Sequence, residues 1–250
     1  MICSTLELEE INSKQINIVC ISDARYIKHL KNLLKSLHYA ENHAAVHLCL
    51  INIILKKRLE KKLLSIYPNL NIQFLNKKFN YKHEKRAFCA NHRVDFIEGL
   101  LKQQIDSIIY IDADSIIRGK ISYEDLFDEN FDIKIHFRNE TDYRMKVATG
   151  VIAIKNNLKS KQFFQDWRKA ITPLKFNWFA DQITFHKLYE QHKNNMNFSY
   201  LNKTYIDWDF EDESIIWAGK GNRKYKNQKY LKESKKILRK SLKDFFTHAK

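Results

Sequence analysis

The sequence predicts an α/β fold with a mostly parallel central sheet, and three observations predict it. Short apolar, β-branched runs alternate with amphipathic helical stretches over roughly the first 110 residues. The run Ile108-Ile-Tyr-Ile111 is apolar throughout, as a strand covered on both faces must be, and it ends in two carboxylates, Asp112 and Asp114. No internal repeat and no long linker divides the 250 residues, so one large domain is the default. We expect it to occupy residues 1–225, followed by a basic helical tail over 226–250 that packs on it or extends from it.

Each element has a local reason. Gln15 to Ile21 is an apolar run ending in Ser22-Asp23 and reads as the first strand. Ile27, Leu30, Leu33, Leu34 and Leu37 recur at helical spacing after it. Val46 to Ile54 reads as a second strand, and Lys56 to Tyr67 as a basic amphipathic helix stopped by Pro68. Asn71 to Leu75 is a third strand, and Phe88 to Lys102 a helix with Val94, Phe96, Ile97, Leu100 and Leu101 inward. It leads into the strand Ile108 to Ile111, and the repeated strand-helix step predicts right-handed parallel crossovers.

After the Asp pair the pattern changes. Phe131 to Phe137 alternates like a strand, and Val147 to Ile154 is β-rich, with Gly150 allowing close backbone approach. Lys159 to Ile171 and Asp181 to Gln191 read as helices, with Asp181 well suited to an N-cap. Met196 to Trp208 reads as mixed short strands. Ser214 to Trp217 is a strand running into Gly219-Lys220-Gly221, a turn able to cradle phosphate oxygens. Lys226 to Lys250 is a Lys-rich helix whose apolar positions are Leu231, Ile237, Leu238, Leu242, Phe245 and Phe246.

Composition bounds the function. No apolar run approaches the ~20 residues that span a bilayer, and the acidic Met1 to Glu10 lacks the pattern of a signal peptide, so a cytoplasmic protein is expected. Four widely spaced cysteines, Cys3, Cys20, Cys49 and Cys89, suggest neither a zinc knuckle nor a disulfide framework. His83, His92, His136 and His186 have no metal-ligand spacing. The net charge of +15 invites a nucleic-acid reading, yet abundant Lys, Asn and Ile with only 5 Gly and 2 Pro is a bias that an AT-rich genome produces by itself.

The chemistry concentrates at the end of the Ile108–Ile111 run. Open α/β sheets bind ligands at the carboxyl ends of their strands. Paired carboxylates there are hard oxygen ligands suited to Mn²⁺ or Mg²⁺, and such an ion suits a diphosphate.

With these pieces in order, residues 15–224 resemble the retaining GT-A (Rossmann-like) glycosyltransferases of family 8 and related nucleotide-diphospho-sugar transferases. The resemblance implies a donor nucleotide-sugar, a UDP-sugar first, and a hydroxyl acceptor on a glycan or lipid-linked glycan. It assigns Asp23 and Tyr26 of Asp23-Ala-Arg-Tyr26 to the nucleoside, Arg93 to the nucleotide-sugar, and Asp112 and Asp114 to the metal on the diphosphate. It places Gly150 of Ala148-Thr149-Gly150 near the donor sugar, Asp181 and Gln182 beside the transferred sugar as the catalytic pair, and Gly219, Lys220 and Gly221 on the phosphates. The chain departs from the family in two places. Trp217 and Ala218 stand where a metal-binding His is common, and Ala148 stands where many relatives carry Asn.

Two other readings compete. A haloacid-dehalogenase-like phosphatase also places Asp-X-Asp after an apolar strand, but near the amino terminus and with a second acidic strand end that Glu211-Asp212-Glu213 does not supply. A basic nucleic-acid-binding module would leave the Asp pair unexplained, and no specific nucleic-acid partner is expected. The Lys-rich tail suits peripheral association with an anionic membrane, and docking of the same helix on the catalytic domain is its plain alternative.

Overall fold

The computed structural model describes residues 15–247, with side chains of the last helix described as far as Arg239. The expectations for Met1 to Glu10, Cys3, Leu242, Phe245 and Phe246 lie outside the described residues.

The amino-terminal half follows the strand-helix pattern. Strand β1 (Asn17–Asp23) leads to helix α1 (Ile27–Tyr39), β2 (Ala45–Ile51) to α2 (Lys56–Leu64), and β3 (Leu70–Leu75) to α3 (Lys82–Asn91) and α4 (Arg93–Lys102). Strand β4 (Ile108–Ile111) carries the Asp pair on its end. The expected single helix from Phe88 to Lys102 is a correction: it starts earlier, at Lys82, and breaks at His92. At the break Arg93 Nε donates to the Ala90 carbonyl (2.6 Å), and buried Asn91 donates to the carbonyls of Lys175 (2.8 Å) and Asn177 (3.0 Å). Long-range polar contacts set this boundary, and hydrophobic spacing does not record them.

The second half adds β5 (Ile116–Ile117), α5 (Tyr123–Phe127), β6 (Ile133–Phe137), β7 (Val147–Ile154), α6 (Leu158–Ile171), α7 (Ala180–His192), β8 (Phe198–Tyr200), β9 (Ile216–Trp217), α8 (Arg223–Lys226) and α9 (Gln228–Thr247). Between Met196 and Trp208 only β8 is a strand, and a 3₁₀ turn at Lys203–Tyr205 takes the place of others.

The main sheet has the order β3-β2-β1-β4-β7-β6-β8. All neighbours are parallel except the two pairs that β7 makes, so the mostly parallel sheet expected from sequence is present with one reversed strand. That reversal has a consequence for the site. Because β7 runs against β4, its amino-terminal half, Val147 to Gly150, lies at the carboxyl edge of β4, with Ile111 opposite Val151. Strands β5 and β9 form a separate antiparallel ribbon.

Side chains alternate between the two faces of the sheet. Ile18, Cys20, Ile109 and Ile111 join α1 residues Leu30, Leu33, Leu34 and Leu37 in one core. Val19, Ile21, Ile108 and Tyr110 pack against Val94, Ile97, Phe163, Trp167 and Phe185 in the other. Cys20 and Cys49 are buried free thiols, as their apolar surroundings in the sequence predict. A third, smaller cluster of Ile116, Phe210, Trp217, Tyr230 and Ile237 docks α9 beside the β5-β9 ribbon. Among the described residues no helix is long and apolar enough to cross a membrane.

Candidate active site

The carboxyl edge of β1 and β4 collects most of the residues singled out in the sequence. Asp112 follows β4 directly. Its backbone N–H donates to the Gly150 carbonyl (2.9 Å), and its Oδ1 accepts from Tyr110 OH (2.9 Å) and lies 3.3 Å from Arg93 Nη2. Burial pushes the Asp112 carboxyl up to about 6, with Arg93 pulling it back down and Asp114 raising it further.

Arg93 is the hub. It is 5% exposed, its Nε stands 3.7 Å from Asp181 Oδ2, and its Nη1 donates to the Thr149 carbonyl. Its guanidinium also lies 4.7 Å from the centre of the Tyr110 ring. A planar fork can serve several acceptors at once, which an ammonium cannot do with the same geometry.

Asp181 corrects the N-cap expectation. Helix α7 begins at Ala180, and its cap residue is Phe179, held at φ +67° with no side-chain cap bond. The Asp181 carboxylate is buried and accepts from Thr149 Oγ1 at 2.6 Å, while its backbone N–H donates to Asn91 Oδ1 (3.2 Å). Gln182 follows it, and with its amide turned to donate it reaches the carbonyls of Val147 (2.9 Å) and Arg144 (3.3 Å).

Asp114 is held from the other side by the carboxyl-terminal segment. Its Oδ2 lies 2.5 Å from Lys224 Nζ, and its carbonyl accepts from Tyr230 OH at 2.6 Å. Gly219 sits against it: a Cβ there would stand 2.3 Å from the Asp114 carbonyl oxygen, so only glycine fits. Gly221 adopts φ +55°, the left-handed turn that leads into α8. Lys224 is 2% exposed; burial alone would lower its pKa, but the Asp114 carboxylate raises it above the ordinary lysine value. Lys224 had no signal in the sequence, where it is one cation in a basic run.

The remaining expected residues are near. Asp23 is buried at the end of β1, and its carboxylate accepts from the Arg25 backbone N–H (2.9 Å), Nε (2.8 Å) and Nη2 (2.6 Å). Tyr26 lies under Lys224, whose Nζ is 5.0 Å from its ring centre. Lys220 Nζ sits 4.2 Å from the centre of the Trp208 ring, and burial, reinforced by Arg138 and Arg223, lowers its pKa to about 8. Trp217 and Ala218, where the family resemblance implies a metal-binding His, are both buried, and Trp217 Nε1 donates to the Glu211 carbonyl (2.6 Å). Glu211, Asp212 and Glu213 are exposed, in the loop that precedes β9.

Two cavities meet at this edge. The smaller, about 130 Å³, is lined by Asp23, Arg25, Tyr26 and Arg86 among others, and the larger, about 320 Å³, by Thr149, Gly150, Asp181, Gln182, Trp208 and Gly219 to Gly221. Arg93, Asp112 and Asp114 line both, so a ligand longer than either cavity would cross them.

No family model matches the chain, and no curated protein matches it. Solved structures do. The fold is similar to that of the galactosyltransferase LgtC in complex with donor and acceptor sugar analogs, at 16% identity over 76% of this chain and 74% of that one, with a TM-score of 0.54. It is similar to the glycosyltransferase GlyE of Streptococcus pneumoniae TIGR4, at 16% identity over 92% of this chain and 64% of that one (TM-score 0.60). The bifunctional glycosyltransferase WbbM, in its apo structure, matches at 15% identity over 77% of this chain and 40% of its own length (TM-score 0.53). By its sheet order, its reversed strand and these likenesses, the chain has the GT-A fold of nucleotide-diphospho-sugar glycosyltransferases.

Proposed function

We infer that this chain transfers a sugar from a nucleotide-diphospho-sugar, a UDP-sugar first among them, to a hydroxyl on a glycan acceptor, with retention of the anomeric configuration. The observation that carries the reading is the meeting of the two cavities over Arg93, Asp112 and Asp114. A donor laid across them puts its nucleoside beside Asp23 and Tyr26, its diphosphate over Arg93, and its sugar beside Thr149 and Asp181.

The chemistry follows from the groups present. Cleaving the sugar–phosphate bond builds negative charge on the leaving diphosphate, and the fixed cations Arg93 and Lys220 stabilise it. Among the described residues no histidine lines either cavity, and none is needed, because the leaving phosphate oxygen can take the proton of the acceptor hydroxyl. Asp181, fixed by Thr149 and facing Arg93, bounds the sugar end and holds negative charge beside a developing oxocarbenium ion.

The Mn²⁺ or Mg²⁺ clamp expected from sequence is tested by its own neighbours. Divalent ions of this kind seek oxygen ligands with net negative charge. The clamp expected there needs only the two Asp, with the diphosphate and water completing the shell, but Asp112 already faces Arg93 at 3.3 Å and Asp114 already holds Lys224 at 2.5 Å. The residues present do not fit such a clamp.

The Lys-rich helix α9 supports peripheral association with an anionic membrane, where a lipid-linked glycan would present the acceptor. The test of the whole reading is incubation with a panel of nucleotide-sugars and short glycans, followed by mass spectrometry of the glycans and NMR of the new anomeric centre. We expect one donor to add one sugar; failure of every donor to lose its sugar, either to a glycan or to water, would sink the reading.

A further inference from the structure

The Lys224–Asp114 pair is built in, not incidental. Lys224 Nζ lies 2.5 Å from Asp114 Oδ2 and donates to the Gly219 carbonyl at 3.2 Å, and the residue is 2% exposed. The turn carrying it is pressed on Asp114 so closely that a Cβ at Gly219 would overlap the Asp114 carbonyl oxygen, 2.3 Å away. Tyr230 OH, from the following helix, bonds the same carbonyl at 2.6 Å. Withdrawing the ammonium therefore means lifting the turn, and leaving it in place without a partner strands a buried charge.

Charge around the cavities points the same way. Arg25, Arg86, Arg93, Arg138 and Lys220 line them against the four carboxylates Asp23, Asp112, Asp114 and Asp181, and Lys224 adds a further cation behind Asp114. Arg138 is in turn paired with Glu140 (2.8 Å), and a cleft with that balance accepts a diphosphate on its own cations. Neither position where a third metal ligand is common supplies one: Trp217 is turned into the cluster of Phe210, Tyr230 and Ile237, and Ala218, which lines the larger cavity, carries no donor atom.

We propose that Lys224 at Asp114, beside Arg93 at Asp112, takes the electrostatic place of a divalent cation, so that this chain binds its nucleoside diphosphate without metal. The proposal rests on the nucleotide-sugar reading above, and the experiment separates the two. Mn²⁺ binding to the nucleotide-free chain is followed by electron paramagnetic resonance, and uridine, guanosine, adenosine and cytidine diphosphates are titrated by calorimetry in EDTA and again in Mn²⁺.

The expected result is no Mn²⁺ site on the free chain and one diphosphate whose Kd agrees within about threefold between the two conditions. Lys224→Met should create a Mn²⁺ site and make diphosphate binding depend on the ion, whereas Lys224→Arg should keep binding in EDTA. A folded Lys224→Met that still binds the diphosphate equally in EDTA and in Mn²⁺ overturns the role given to Lys224. Should Lys224→Met not fold, the wild-type arms decide alone. A Mn²⁺ site on the wild-type chain, or diphosphate binding that EDTA abolishes, overturns the proposal and leaves the donor reading standing. Binding of no diphosphate under either condition overturns the donor reading, and the proposal with it.

Discussion

Arg93 Nη2 stands 3.3 Å from Asp112 Oδ1 at the tip of the central strand, and through its Nε the same guanidinium faces Asp181 at 3.7 Å. One buried cation thus ties two carboxylates from elements far apart in the chain. Arg93→Met leaves both without their partner, and we expect a loss of about 3–5 kcal/mol in unfolding free energy. Arg93→Lys retains charge but cannot span both acceptors, so it should keep most of the stability and still lose turnover. Urea unfolding beside initial-rate measurements checks both; an unchanged unfolding midpoint in Arg93→Met would show that the pairing contributes little.

The two carboxylates of the Asp pair should behave differently. As strand-tip groups both are expected from the sequence to be removable without harm to the fold. Asp112 has a side chain 36% exposed, and Arg93 keeps Asp181 as a partner, so Asp112→Asn should cost less stability than Asp114→Asn. Asp114 has a side chain 13% exposed and pairs with a nearly inaccessible lysine, so Asp114→Asn leaves a buried ammonium short of its acceptor. We expect a loss of about 3–5 kcal/mol in that variant, recovered in large part by Asp114→Asn with Lys224→Met. Equal unfolding midpoints for the two single variants would contradict this.

Lys220 gives the site a pH dependence. Its folded-state pKa is lowered to about 8, so the ammonium is present below that value and lost as pH rises through it. A diphosphate prefers the charged form, so donor affinity should fall above pH 8, approaching about tenfold per pH unit until the pKa of the complex is reached. Lys220→Arg stays charged throughout and should flatten the profile. Calorimetry from pH 7 to 9.5 reads this directly, and a wild-type profile as flat as that of the arginine variant would refute it.

Asp181 should matter to turnover more than to donor affinity. It accepts from Thr149 rather than capping α7, so Asp181→Ala is expected to lower kcat by at least about a hundredfold while the donor Kd moves by less than about fivefold. Thr149→Val, which removes only the hydroxyl that holds the carboxylate, should give a smaller loss in the same direction. Normal turnover in Asp181→Ala would return the residue to a structural role.

The basic tail can be divided. Tyr230 and Ile237 are buried, and Asn32 Nδ2 donates to Ser234 Oγ at 2.6 Å, so the first half of α9 is docked on the domain. A chain ending at Lys226 loses Tyr230 and Ile237 together, and should be destabilised by about 3 kcal/mol or more. A chain ending at Arg239 keeps both and should fold normally. If the lysines beyond it bind anionic vesicles, sedimentation at low salt separates this chain from the full one while rates on a soluble acceptor stay equal.

The sequence by itself determined the layered architecture, because strand and helix are written in the spacing of Ile, Leu and Val, and each apolar face could be satisfied only by burial against another. It also marked the strand tip, since an apolar run that ends in Asp112 and Asp114 puts charge where the strand stops. Only the tertiary structure decided what those carboxylates face. The reversal of β7 that brings Gly150 onto Asp112, the replacement of an N-cap by a Thr149 contact at Asp181, and the choice of Lys224 among many lysines as the partner of Asp114 all join residues from 32 to 110 positions apart. Such pairings leave no periodic trace, because the energy of a buried ion pair depends on distance in space and on exclusion of water, and neither is set by neighbours along the chain.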